Sequence, residues 1–107
     1  MKDDSLYIEH ILQSINSIFD YTQNITKQDF ARNKMIQDAV IRNFEIIGEA
    51  TKKVSEDYKQ VHYEVPWKAM SGMRDKLIHD YIGVDIAVLW KTIVEDLPPL
   101  KKKLEDK

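Results

Sequence analysis

The chain has 107 residues, a length that fits one compact domain over 1–107, and its formal net charge is −2. A hydrophobic fraction of 43% with 32% charged residues is the balance of a folded protein rather than a disordered one, and the absence of cysteine excludes disulfides, zinc thiolate sites and thiol catalysis. The acidic balance leaves no global positive field to attract nucleic acid, so any RNA contact needs a local basic patch made by folding or by dimerisation.

In chain order, Leu6, Ile8, Ile11, Leu12, Ile15, Ile18 and Phe19 recur at three- and four-residue steps and predict an amphipathic helix from about Asp3 to Tyr21. Asp3 or Asp4 suits its start, where a carboxylate meets the positive end of the helix dipole. The same stretch mixes acids into its apolar positions and lacks the unbroken run of a signal peptide or membrane span, so a cytoplasmic protein with no membrane partner is expected. Thr26 with Asp29 three residues on reads as a capping pair. A second long helix is expected from about Lys34 to Glu56, with Met35, Ile36, Ala39, Val40, Phe44, Ile47 and Val54 on its apolar face and Ile46 and Ala50 widening it. Asn43 falls among these apolar positions and reads as a buried amide satisfied by backbone or by a partner chain.

Residues 57–66, DYKQVHYEVP, break the helical period and read as a loop, after which Pro66 opens a third helix with Trp67, Met70, Met73, Leu77 and Ile78 as core contacts. Gly83 interrupts that helix. Asp85 then caps IAVLWKTIVEDL, and Pro98 and Pro99 are expected to kink or restart the last helix before the lysine-rich tail. Long stretches without Gly or Pro favour helix, so the fold class is all-α, an antiparallel bundle of four to five helices. So small a domain leaves much surface in water, which makes pairing with another chain plausible.

The chemistry is concentrated in RDKLIHDY, residues 74–81. Histidine, with an ordinary pKa near neutrality, can take a proton from a ribose 2′-hydroxyl or return one to a leaving oxygen. Arginine stays charged and grips a phosphate through two parallel hydrogen bonds. Arg74 and His79 therefore suit phosphodiester cleavage of RNA without a metal or other cofactor, because the acids a metal nuclease would cluster are scattered along the chain. At about 100° per residue, Tyr81 returns to the Arg74 face of a helix while His79 lies about 140° away. Convergence of Arg74 and His79 thus needs a distorted helix end or two copies of the motif meeting across a dimer. Asp75 lies four residues before His79 and shares its face, where a carboxylate favours the protonated imidazole. Trp67, Trp90 and Tyr58 suit core or interface positions better than base stacking, His10 and His62 have no chemical partner in the sequence, and Lys101–Lys103 suit a solvated helix end.

The segments DAVIRNFEIIGEATKKV, VPWKAMSGMRDKLIHDYIGVD and VLWKTIVEDLPPLKKKLE resemble the HepT-like proteins of the HEPN superfamily, also called DUF86, over nearly the whole chain from about Asp3 to Glu105. The resemblance implies a HEPN-like, dimeric helical bundle in which two Arg/His motifs form one cleft. It implies a metal-independent endoribonuclease toxin of a toxin–antitoxin pair, with Arg74 and His79 catalytic and Asp75 supporting them. The partner it implies is an MntA-type nucleotidyltransferase antitoxin, which in some pairs transfers AMP to the tyrosine that corresponds to Tyr81. The expected partners are RNA, that antitoxin and a second copy of the chain, with no DNA. Asp75 departs from the Asn more common in the family at that position. The competing reading is a non-catalytic helical subunit that binds a nucleotidyltransferase.

Overall fold

In the computed structural model, which describes residues 3–73, 75 and 85–106, the isoleucine repeat forms α1 (Asp4–Thr22), with Ile8, Ile11, Ile15 and Ile18 buried along one stripe. Leu6 lies off this stripe and stays 48% exposed. Asn24, with φ 62, turns the chain towards α2 (Lys27–Arg32), a backbone conformation that Asn tolerates better than most residues. The expected capping pair is present and reciprocal: the Asp29 amide donates to Thr26 Oγ1 and the Thr26 amide to Asp29 Oδ2, each at 3.0 Å. This satisfies two amides that an uncapped helix start would leave open, and it sets Phe30 into the core.

Asn33 ends α2 and starts α3 (Lys34–Lys53) by accepting from the Ile36 amide. The buried stripe of α3 runs through Val40, Phe44, Ile47 and Thr51. Met35, expected on that stripe, is instead 79% exposed, because it is one residue, about 100°, round from Ile36. Asn43 is buried and its Nδ2 donates to the Ala39 carbonyl at 2.9 Å, so the helix backbone satisfies the amide. α3 stops short of the expected Glu56. Val54 leaves the helix with ψ 135 and is buried, and Ser55 caps a short new helix, α4 (Glu56–Val61), by accepting from the Tyr58 amide. The first half of the stretch expected as loop, 57–61, is therefore helical, while 62–66 is not. One serine cap with Glu56 and Asp57 in the first turn outweighs a weak apolar period.

Ser55 also closes a long-range polar contact. Its amide donates to Asp4 Oδ1 at 2.8 Å and its hydroxyl to Asp4 Oδ2 at 2.7 Å, across 51 positions of sequence. The start of α1 is thus tied to the chain just past the end of α3, so the two helices run antiparallel and pack along their length. Burial on its own would push the Asp4 carboxyl up, yet the hydrogen bonds from Ser55 bring it below its ordinary value. Burial, together with the Asp4 charge, raises the nearby Tyr58 hydroxyl.

After Val65, α5 (Trp67–Ser71) packs on α3 through Trp67 and Met70, which are buried. Asp85 caps α6 (Ile86–Lys91) as expected, accepting from the Val88 amide. Pro98 and Pro99 do not break the chain's helical path. α6 passes into a π-helical turn, Thr92–Asp96, whose exit has the Leu97 amide donating to the Thr92 carbonyl, and α7 (Leu97–Glu105) restarts there with both prolines in its first turn. Proline is tolerated in the first turn of a helix, whose amides make no bond within that helix. Leu97, Leu100 and Leu104 of α7 join α1, α3 and α5 in one hydrophobic core, and every regular element among the described residues is a helix. The all-α expectation holds.

The Asp4 to Ser55 contact predicts an acid-sensitive fold. A carboxyl whose folded pKa is depressed stabilises the fold above its unfolded pKa, and the contribution is lost as pH falls through the folded value. Urea unfolding followed by circular dichroism should therefore show stability dropping below about pH 4. Asp4→Ala should lower stability at neutral pH by about 1–3 kcal/mol and flatten the acid limb.

Candidate functional site

The candidate segment is reached from α5. Trp67 anchors the start of that helix, since its ring is buried and its Nε1 donates to the His62 carbonyl at 2.9 Å. Tyr58 meets the Trp67 ring edge-on, with centroids 6.0 Å apart. Met70 is wholly buried one helical turn on, and Met73 is half-buried against the same core. These contacts fix where the chain enters RDKLIHDY. Asp75 is helical and exposed. Arg74, His79 and Tyr81, together with Leu77, Ile78 and Gly83, lie outside the described residues. The far end is held by the Asp85 cap and by α6, whose Leu89 is fully buried. Trp90 is half-buried with its ring tilted on Phe30 at 5.3 Å, which links this end of the segment to α2.

The other aromatic and histidine residues have structural surroundings. Tyr58 and Trp90 are half-buried against the core, in line with the core or interface positions expected for them. His62 is half-buried with its ring 4.3 Å from that of Tyr58, while His10 is exposed and edge-on to Tyr7 at 6.3 Å. Lys102 and Lys103 are solvated at the end of α7, and Lys101 extends its ammonium over the Phe19 ring at 5.7 Å. Among the described residues no three His, Asp or Glu side chains gather as a metal site requires. None of the described helices is long and apolar enough to cross a membrane.

A feature absent from the sequence reading lies beside the entry to the segment. α5 and the turn from α6 into α7 enclose an open cavity of about 510 Å³, lined by Met70, Met73 and Leu100 and edged by Glu95, Asp96 and Lys103. Met73, on its wall, immediately precedes Arg74 in the chain. Pro98 and Pro99 were the available signal for this place, because they mark where the last helix must change its hydrogen bonding.

Residues 11–106 match the family model described as ribonuclease HepT-like. The chain belongs to the HepT-like family. A protein named "Probable ribonuclease HepT" from Thermococcus cleftensis is 52% identical over 99 residues, which cover 92% of this chain and 90% of that protein. This HepT-like chain is also 40% identical over 106 residues to a protein bearing an RNase name in Caldanaerobacter subterraneus, covering 99% of the chain and 95% of the relative. Another protein with an RNase name, in Methanocaldococcus jannaschii, is 43% identical over 104 residues, or 97% of the chain and 95% of the relative. No solved structure matches the chain at a significant level. The match begins inside α1 and runs to the residue after α7, so the family region includes RDKLIHDY and the helices on either side of it.

The Asp85 cap should be measurable. Asp85→Ala removes the acceptor of the Val88 amide and should cost about 1 kcal/mol in thermal unfolding, whereas Asp85→Ser, which keeps a capping oxygen, should recover most of it.

Proposed function

We propose that this chain is a metal-independent endoribonuclease that acts as the toxin of a toxin–antitoxin pair. The observation that carries the reading is membership of the HepT-like family across residues 11–106, with Arg74 and His79 inside the matched region. RNA is the substrate class because every chemical requirement of 2′-hydroxyl attack is met by these two residue types. A general base removes the 2′-hydroxyl proton, O2′ forms a bond to phosphorus, and the P–O5′ bond breaks as an acid protonates the departing oxygen. The products are a 2′,3′-cyclic phosphate and a 5′-hydroxyl, and no water or metal enters the balance. His79 serves as base or acid. Arg74 holds the phosphate and stabilises its added charge in the transition state. Asp75 supports His79 by favouring the imidazolium form.

Two copies of the chain supply the two motifs of one cleft. This arrangement removes the angular difficulty that about 140° of helix separates Arg74 from His79. The antitoxin is an MntA-type nucleotidyltransferase. It controls the enzyme through Tyr81, whose hydroxyl attacks the α-phosphorus of ATP, with pyrophosphate leaving and AMP remaining on the ring oxygen. The added phosphate, close in sequence to Arg74, competes for the guanidinium and obstructs the substrate.

Purified protein with a chelator present should cleave RNA to cyclic-phosphate ends. Arg74→Ala and His79→Ala should each reduce the rate at least about 100-fold while the helical circular dichroism is unchanged. Cleavage that survives in the double variant removes these residues from the site. An intact substrate with wild-type protein, combined with weakened nucleotidyltransferase binding by Arg74→Ala, selects the non-catalytic subunit instead. Coexpression with the nucleotidyltransferase should add the mass of AMP to the peptide containing Tyr81, and the Tyr81→Phe chain should escape both the mass shift and the inhibition.

A further inference from the structure

We infer that the cavity between α5 and the α6–α7 turn is a nucleobase pocket that reads guanine in the RNA beside the cut. The inference rests on the ribonuclease reading for its substrate and on the cavity for its specificity. The cavity's volume of about 510 Å³ falls within the about 300–1,000 Å³ usual for small-molecule sites. Its walls suit the faces of a flat ring: Met70 and Leu100 are buried, and the thioether of Met73 adds a polarisable, adaptable surface. Its edge has a defined polarity. Glu95 and Asp96, consecutive exposed residues of the π turn, both line the cavity, and so does the exposed Lys103 of α7.

Carboxylates only accept hydrogen bonds once ionised. Guanine is the one common base whose pairing edge presents two adjacent donors, the ring N1–H and the exocyclic amino group, and so it can meet one carboxylate with two parallel bonds. Adenine and cytosine each set a ring acceptor beside their amino group, and uracil flanks its single N–H with carbonyls. A carboxylate repels those acceptors. Lys103 provides the complementary charge for the phosphate attached to the captured nucleoside. The pocket also has the right place in the chain, because Met73 on its wall is followed directly by Arg74. A base seated there lies against Met73, the residue that precedes the motif in sequence.

Calorimetric titration of the intact protein with GMP, AMP, CMP and UMP tests this without requiring catalysis. GMP should bind about tenfold more tightly than the other three, the discrimination of one bidentate base contact. The double variant Glu95→Gln, Asp96→Asn should abolish that preference, and Lys103→Ala should weaken all four nucleotides alike. Ala69→Trp, at an exposed helical position lining the cavity, should block binding with the helical circular dichroism retained. Equal affinities for the four nucleotides, no binding of any, or GMP binding that survives Ala69→Trp would overturn the pocket. Sequencing of cleavage ends separates the two readings. Selective GMP binding by a protein that cuts no RNA keeps the pocket and removes the ribonuclease, whereas cleavage indifferent to base by a protein that ignores GMP does the reverse.

Discussion

The antiparallel packing of α1 on α3 is the constraint from which the other elements take their positions. Its apolar part is a pair of stripes, Ile8 to Ile18 against Val40 to Thr51, and these alone could pair in more than one register. The polar part removes that freedom. Asp4 is only 2% exposed, and a buried carboxylate is tolerated where its oxygens receive hydrogen bonds. Ser55 supplies two of them. A slip of one turn would leave this carboxylate buried without them, at a cost of the order of 1–3 kcal/mol or more, so the contact sets the register and the direction together. Because Ser55 is at the same time the cap of α4, the same hydroxyl fixes where the chain leaves the helix pair.

From that junction the chain is led to the candidate site by burial. Tyr58, Trp67 and Met70 carry α5 across α3, and each is held by contacts with the core rather than by helix propensity, which a five-residue helix cannot supply alone. The return path through α6 and α7 is held in a different way. It keeps helical backbone through a π turn, and its leucines anchor it against α1. The described residues that flank RDKLIHDY, up to Met73 and from Asp85, are therefore packed on the core or capped.

The fold was legible where one residue type states its role locally. Thr26 with Asp29, Asp85 before an apolar run, and the isoleucines of α1 all behave as their spacing implies, because caps and amphipathic stripes are short-range effects. α4 was not legible as a helix: Tyr58, Val61 and Tyr63 do not form an apolar face, and its start depends on a serine whose second partner lies 51 positions away. Met35 and Leu6 were counted with the apolar periodicity of their helices, and the actual stripes pass to one side of them. The residues of the candidate site were chosen for their chemistry and family pattern. The cavity beside them was invisible in the sequence, because Met73, Glu95 and Lys103 come from separate elements with no common spacing.

The sequence by itself determined the helical class, most of the helix ends and the chemical identity of RDKLIHDY, since these follow from periodicity, capping and the inventory of side-chain groups. Only the tertiary structure decided that Asp4 would face Ser55, that the two prolines would be absorbed by a π turn, and that a cavity would open next to Met73. The first and the last of these depend on groups far apart in the chain meeting at a few ångströms, whereas the π turn is a local choice of hydrogen bonding. Such meetings are set by how the long helices pack, a property of the whole core rather than of any one segment.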